Sequence, residues 1–342
     1  MRLGILTGGG DCPGLNAVIR ASVRKGIGVH GHSFVGFRDG WRGVLEDEAI
    51  DIGVPEVTGI LHRGGTILGS SGVNPMRVDD GAAIVRATFE RRGLDGLIAI
   101  GGEGTLGAAA QLAEAGLPVL GVPKTIDNDL GGTDITVGFH TAVQVATDSI
   151  DRLHSTAESH DRVMLVEVMG RHAGWIAVYA GMAGGADVIL IPEQPFEIDE
   201  VCRRLRMRHM RRSSFSIVVV AEGAIPAEGT LVLPEPELDE NGFPRLGGVS
   251  THIAPEIEKR TGFQTRVTIL GHVQRGGSPV AFDRVLATRM GLGAVALANA
   301  GGWGRMVARR AQEIIDVPLA SAVAERKVVP LELYREAEVF FG

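Results

Sequence analysis

Seven short runs rich in Val, Ile and Leu punctuate this chain, at Leu3 to Thr7, Gly96 to Ile100, Leu117 to Val122, Val163 to Val168, Val188 to Ile191, Ile217 to Val220 and Val267 to Leu270. Helical stretches lie between them. A continuous apolar run of strand length has no polar face to offer water, so it fits a parallel strand covered by helices on both sides. The fold class expected is therefore α/β, doubly wound, with mainly parallel sheets. The intervening segments agree. Leu15 to Ile27 sets Leu15, Val18, Ile19 and Val23 at helical spacing, and Gly138 to Leu153 does so with Ala142, Val145, Ala146 and Ile150. A length of 342 residues is long for one core and sufficient for two lobes.

Six of the strands run into turns of distinctive composition: TGGGDCPG, GGEGT, PKTIDND, MGRHAG, AEG and GHVQRGG. Glycine supplies 49 residues, roughly twice its average share, without a collagen-like period. Ligands of open parallel sheets bind at the carboxyl ends of strands, so these turns are expected to converge on one or more clefts. The stretch Ile225 to Gly248 is rich in Pro, Glu and Gly, and Leu231 to Leu233 with Asn241-Gly242 predicts a surface hairpin inserted into the fold.

Charge narrows the partners. The formal net charge is −7, so no general field attracts nucleic acid or an acidic membrane, and an anionic ligand needs a local basic cluster. There are two cysteines, no charged-then-apolar leader and no apolar run long enough to span a bilayer, which gives the expectation of a cytoplasmic protein.

The turns differ in what they can do. GGGDCPG follows a strand and opens a helix, where main-chain N–H groups and the positive helix end suit a phosphate. In isolation a structural turn explains it equally well. Its glycines, Gly8, Gly10 and Gly14, break the dinucleotide spacing, and Asp39 is poorly placed for a ribose, which disfavours a nicotinamide enzyme. In Gly101-Gly102-Glu103-Gly104-Thr105 the carboxylate could hold magnesium, although such an acid is more often a solvated charge. The P-loop and the protein-kinase motifs are absent. PKTIDND says most. Asp127 could accept a proton from an attacking alcohol, Asp129 could position magnesium and Thr125 could orient a phosphoryl group. Alone it would be a turn bonding its own backbone; the other motifs tip the balance. Arg171 and Arg275 follow strands and suit bidentate phosphate contacts, with His272 and Glu222 available for hydroxyls. His172 and Trp175 are expected to be packing residues, Arg203 to Arg212 a solvated helix face, and Cys12 a passive small residue rather than a redox-sensitive thiol.

Taken together, GGGDCPGLNAVIR, RGGTILGS, IGGEGT, PKTIDND, SHDRV, EVMGRHAGW, AEG and LGHVQRGGSP resemble, in order, the segments of the 6-phosphofructokinase family, in particular its actinobacterial mixed ATP and pyrophosphate branch. The resemblance implies two doubly wound lobes with the active site in the cleft between them: residues 1–138 plus approximately 275–318 for the nucleotide, and 139–274 plus approximately 319–342 for the sugar phosphate. It implies transfer of the γ-phosphoryl group of MgATP to the 1-hydroxyl of fructose 6-phosphate. Asp127, Thr125 and Arg171 match the family's catalytic positions. Glu103, where the family more often has Asp, and Asp129 match its magnesium positions. Gly10, Gly102, Glu103, Gly104 and Thr105 match its nucleotide site. Thr125, Ile126, Asp127, Met169, Gly170, Arg171, Glu222, His272, Val273, Gln274 and Arg275 match its sugar-phosphate site, and Arg162 and Arg266 match arginines reaching the 6-phosphate from a neighbouring subunit. A homotetramer or homodimer is implied, with no nucleic-acid or membrane partner.

Three departures bear on the donor and on regulation. Gly72 stands where the family usually has an arginine facing the donor's terminal phosphate, which leaves Lys124 or Arg77 to replace it. Lys124 is typical of the pyrophosphate-dependent branch, whereas Gly104 is typical of ATP users, and the steric argument favours ATP. Arg20, Arg24, Asp187 and Arg211 align with effector-binding positions, but Val54 and His154 replace arginines there. Three alternatives stay open: a pyrophosphate-dependent enzyme, an NAD kinase sharing a GGDGT-like turn, and a non-catalytic sugar-phosphate sensor.

Overall fold

The computed structural model describes residues 1–210, 214–234 and 246–341. The elements follow in the order β1 (Arg2–Thr7), α1 (Leu15–His30), β2 (Ser33–Phe37), α2 (Trp41–Glu46), β3 (Ala49–Ile52), α3 (Gly81–Arg92), β4 (Gly96–Gly101), α4 (Glu103–Glu114), β5 (Val119–Pro123) and α5 (Phe139–Ser159). Then come β6 (Val163–Val168), α6 (Trp175–Ala183), β7 (Val188–Leu190), α7 (Ile198–Met210), β8 (Ser216–Ala221), α8 (Val249–Thr261) and β9 (Thr265–Ile269). The chain closes with α9 (Ala281–Asn299), β10 (Arg305–Arg310), β11 (Glu313–Pro318), α10 (Leu319–Ala324) and α11 (Leu331–Glu338). Contacts divide it into two compact units.

The first unit comprises Met1–Ile126, Leu130–Thr141 and Arg275–Arg326. Its sheet has the order β11-β10-β5-β4-β1-β2-β3, with β10, β5, β4, β1 and β2 parallel and one antiparallel strand at each edge. Every residue of β4 is buried, as expected of a strand covered on both faces. Trp41, Phe37, Leu97, Leu106, Leu112 and Met306 build the core on one face. On α9, Gly291 lets the helix lie directly on α1, since a Cβ there would stand 2.6 Å from the Val18 carbonyl oxygen. The last segment reaches Arg326 because α10 packs on α4 and β10.

The second unit comprises Asp127–Asp129, Ala142–Gln274 and Lys327–Gly342. Its four parallel strands run β7-β8-β6-β9. Val163, Leu165, Val218 and Val220 meet Val201 and Leu205 of α7 and Ile253 and Ile257 of α8 in one core. Two expectations need correction here. The run near Val267 is not buried on both faces, because β9 is an edge strand with Arg266 and Ile269 exposed. Leu231 to Leu233 forms no strand: the segment lacks regular structure, and both leucines pack on the core of this unit. Asn241-Gly242 and Arg211 lie outside the described residues. Among those residues, no helix is long and apolar enough to cross a membrane.

Candidate active site

In the first unit β1 lies between β2 and β4, so the sheet grows first to one side of β1 and later to the other. Such a reversal opens a ligand crevice at the strands' carboxyl ends. The turns after β1 and β4 meet there, with the Gly8 N–H donating to the Ile100 carbonyl at 2.9 Å. Thr105, in the first turn of α4, occupies the space that side chains at both Gly8 and Gly101 would need. Gly10 lies against the guanidinium of Arg275, and any Cβ at position 10 would collide with it. Lys124, 2% exposed, donates its ammonium to the carbonyls of Gly8, at 3.0 Å, and Gly10. A buried cation therefore braces the first glycine turn from beneath.

The turn after β4 is open above. Gly104 is exposed, and a Cβ built there meets nothing within 4 Å. Glu103, the first residue of α4, is also exposed, with one carboxylate oxygen 3.8 Å from the Arg326 guanidinium. The turns after β4 and β5 are tied by the Lys124 N–H donating to the Gly101 carbonyl at 2.9 Å, and Thr125 accepts the Thr136 hydroxyl on its carbonyl at 2.6 Å. Cys12 is fully buried, and burial pushes its thiol up to about 12, so it stays protonated at neutral pH.

Two further residues shape this site, Asn16 within the GGGDCPGLNAVIR segment and Asp283 outside the quoted segments. Asn16 donates to the carbonyls of Arg63 and Gly64, at 3.2 Å each, and accepts the Ile67 N–H at 2.8 Å, which seats the RGGT loop on α1. Asp283 accepts the N–H groups of Gly138 (3.1 Å) and Thr141 (2.7 Å) and the Thr141 hydroxyl (2.6 Å), capping the start of α5 from α9. Both are buried polar residues on helices.

The second unit gathers a different set. Asp127 and Asn128 are buried and Asp129 is half-buried. After β6 the chain turns through Gly170, at φ +144°, and Arg171, at φ +52°. Glu222, just after β8, holds that turn by accepting the N–H groups of Arg171 at 2.9 Å and Gly170 at 3.3 Å. Burial pushes the Glu222 carboxyl above its usual range, against the pull of the Arg171 N–H, and the nearby Asp127 adds to the rise. The exit of β9 is aligned with β6 through the Leu270 N–H on the Glu167 carbonyl at 3.0 Å. His272 and Val273 follow, both exposed, and Gln274 is buried. Met169, Gly170, Arg171, Glu222 and His272 thus share the carboxyl end of one sheet. Arg162 and Arg266 do not join them: they lie at the opposite end, Arg266 paired with Met164, roughly 16 Å along the strands from Met169 at ~3.3 Å per residue.

The profile of the family described as Phosphofructokinase matches residues 2–298. The chain belongs to the phosphofructokinase family. It is therefore a glycolytic kinase-type transferase acting on fructose 6-phosphate with a phosphoryl donor. It is 58% identical, over the full length of both chains, to a protein of Streptomyces coelicolor named pyrophosphate–fructose 6-phosphate 1-phosphotransferase. It is 56% identical, again over both full lengths, to the ATP-dependent 6-phosphofructokinase of Mycobacterium bovis. Among solved structures, phosphofructokinase from Saccharomyces cerevisiae superposes with a TM-score of 0.81 at 32% identity, covering 94% of this chain and 45% of that one.

Proposed function

We propose that this phosphofructokinase uses ATP, transferring the γ-phosphoryl group to the 1-hydroxyl of fructose 6-phosphate to give fructose 1,6-bisphosphate and ADP. The observation that carries the choice is Gly104. It is exposed at the opening of α4 with open space where a side chain would stand, which leaves room for the donor's α-phosphate and sugar against a helix N-terminus. Gly10, Gly102 to Thr105 and Lys124 are the donor residues of this proposal, and Met169 to Arg171, Glu222 and His272 to Gln274 are its acceptor residues.

In the reaction Asp127 takes the proton of the sugar hydroxyl as it attacks, and Thr125 and Arg171 orient and neutralise the transferring phosphoryl group. Glu103 and Asp129 would hold magnesium. Glu103 is open to solvent, which suits a cation that keeps several of its waters. Magnesium, when bound, supplies charge neutralisation between the donor phosphates. Arg162 and Arg266, at the far end of their sheet, serve the 6-phosphate of a neighbouring copy, so the active species is a homodimer or homotetramer.

Pyrophosphate is the second candidate donor, and Lys124 favours it. A buried ammonium under the Gly8–Gly10 turn adds positive charge where a compact donor lacking a nucleoside would need it. Initial rates with fructose 6-phosphate, magnesium and each donor in turn decide between the two: turnover with ATP supports the proposal, and turnover with pyrophosphate alone replaces it.

A further inference from the structure

The turn bearing Asp127 and Asp129 is held from the chain's last segment by one lysine. The main-chain N–H of Lys327 donates to the Asp129 carbonyl at 2.8 Å, and its ammonium donates to Asn128 Oδ1 at 2.9 Å. Lys327 is fixed in turn by Trp175: the indole N–H donates to the Lys327 carbonyl at 3.1 Å, and the ammonium stands 5.3 Å from the indole ring centre. Trp175 opens α6 directly after the Gly170–Arg171 turn and is buried. Its role exceeds the packing expected of it. Residues 127–129, 170–175 and 327, remote in sequence, are thereby closed into one assembly within the second unit.

The hold matters because of Asn128. Its φ is +54°, a left-handed step that asparagine tolerates better than other residues with a Cβ but that still costs energy. Such a step persists where the surroundings over-determine it. This step sets the directions of Asp127 on one side and Asp129 on the other. Lys327 grips both the side chain of the stepped residue and the carbonyl of the next.

We propose that Lys327 is a positioning residue for phosphoryl transfer, acting through Asn128 and the Asp129 main chain to keep the Asp127–Asp129 turn in its reactive conformation. Trp175 links that hold to the Gly170–Arg171 turn. The inference rests on the phosphofructokinase reaction proposed above.

Lys327→Met keeps an aliphatic stem beside Trp175 and removes the ammonium. The expected result is a kcat lowered about tenfold or more, since small displacements of reacting groups cost up to ~10²-fold, while fructose 6-phosphate affinity by calorimetry stays within about twofold. Lys327→Arg restores most of the rate. Asn128→Gly permits the left-handed step and removes the acceptor, so it should lower kcat as well, and the double variant should lose less than the product of the two single losses because both cut the Lys327–Asn128 bond. It also serves as the test if Lys327→Met fails to fold. A wild-type kcat in Lys327→Met, or losses that multiply in the double variant, overturns the proposal. Amide hydrogen exchange gives a readout independent of turnover: exchange over residues 125–130 should rise in Lys327→Met, and unchanged exchange overturns the proposal as well. Absence of turnover in the wild-type enzyme with both donors counts against the assigned reaction instead.

Discussion

The Glu222 carboxylate accepts the main-chain N–H of Arg171 at 2.9 Å, and Arg171 sits at φ +52°. A half-buried acid therefore supports a left-handed turn whose Arg171 side chain is exposed. The raised Glu222 carboxyl gives this arrangement a definite pH dependence. A carboxyl that titrates higher in the folded state than in the unfolded one binds its proton more tightly when folded, so its contribution is most favourable at low pH and is lost as pH rises through the folded value. Glu222→Gln keeps an oxygen to accept both N–H groups and removes that penalty. Thermal unfolding should show the variant at least as stable as wild type at pH 7.5, with its advantage narrowing toward pH 5. Glu222→Ala, which strands the two donors, should instead destabilise by about 1–3 kcal/mol. A Gln variant less stable than the Ala variant would contradict this account.

Asp127 and Arg266 separate the chemical step from binding. Asp127→Ser should lower kcat by about 10²–10⁴-fold with little change in fructose 6-phosphate affinity, the usual worth of general-base assistance. Arg266→Ala should mainly raise KM for fructose 6-phosphate, because a charge-assisted phosphate contact acts in the ground state as well. Arg266 is exposed, so its removal should leave Tm nearly unchanged. Steady-state kinetics on the two variants check the assignment, and interchanged effects would refute it.

Seven parallel strands were legible because each carries a short run rich in Val, Ile and Leu, and their exits because glycines mark them. The outer strands of the first sheet were not. Strands β10 and β11, RMVARR and EIIDVP, join through a two-residue turn whose Ala311 adopts φ +51°, so the usual Asn-Gly signal is missing. In β2 and β3, SFVGF and AIDI are too short to stand out. Within the site, the residues assigned to substrate and donor lie in recognisable turns, whereas Asn16, Asp283 and Lys327 make contacts between segments distant in sequence. Spacing alone does not reveal such contacts.

Donor choice can be probed at Gly104 without disturbing the fold. Its backbone φ is not positive and a Cβ there has open space, so Gly104→Asp should fold with a Tm close to wild type. The added carboxylate faces the donor phosphates, and ATP-dependent turnover should fall by at least ~10²-fold, the cost of roughly 2.7 kcal/mol of repulsion and lost space. Lys124 then gives pyrophosphate its chance, and a gain of pyrophosphate-dependent turnover is the expected companion result. Unchanged ATP kinetics in a folded variant would show that the nucleotide does not pass over this turn.

The central claim is that the full-length wild-type chain phosphorylates fructose 6-phosphate and takes the phosphoryl group from ATP. A coupled assay for fructose 1,6-bisphosphate, run with magnesium and either ATP or pyrophosphate at matched concentrations, tests both parts at once. ATP-dependent turnover that disappears when magnesium is chelated is the predicted result; no product with either donor would contradict the enzyme assignment, and product with pyrophosphate alone would contradict the donor.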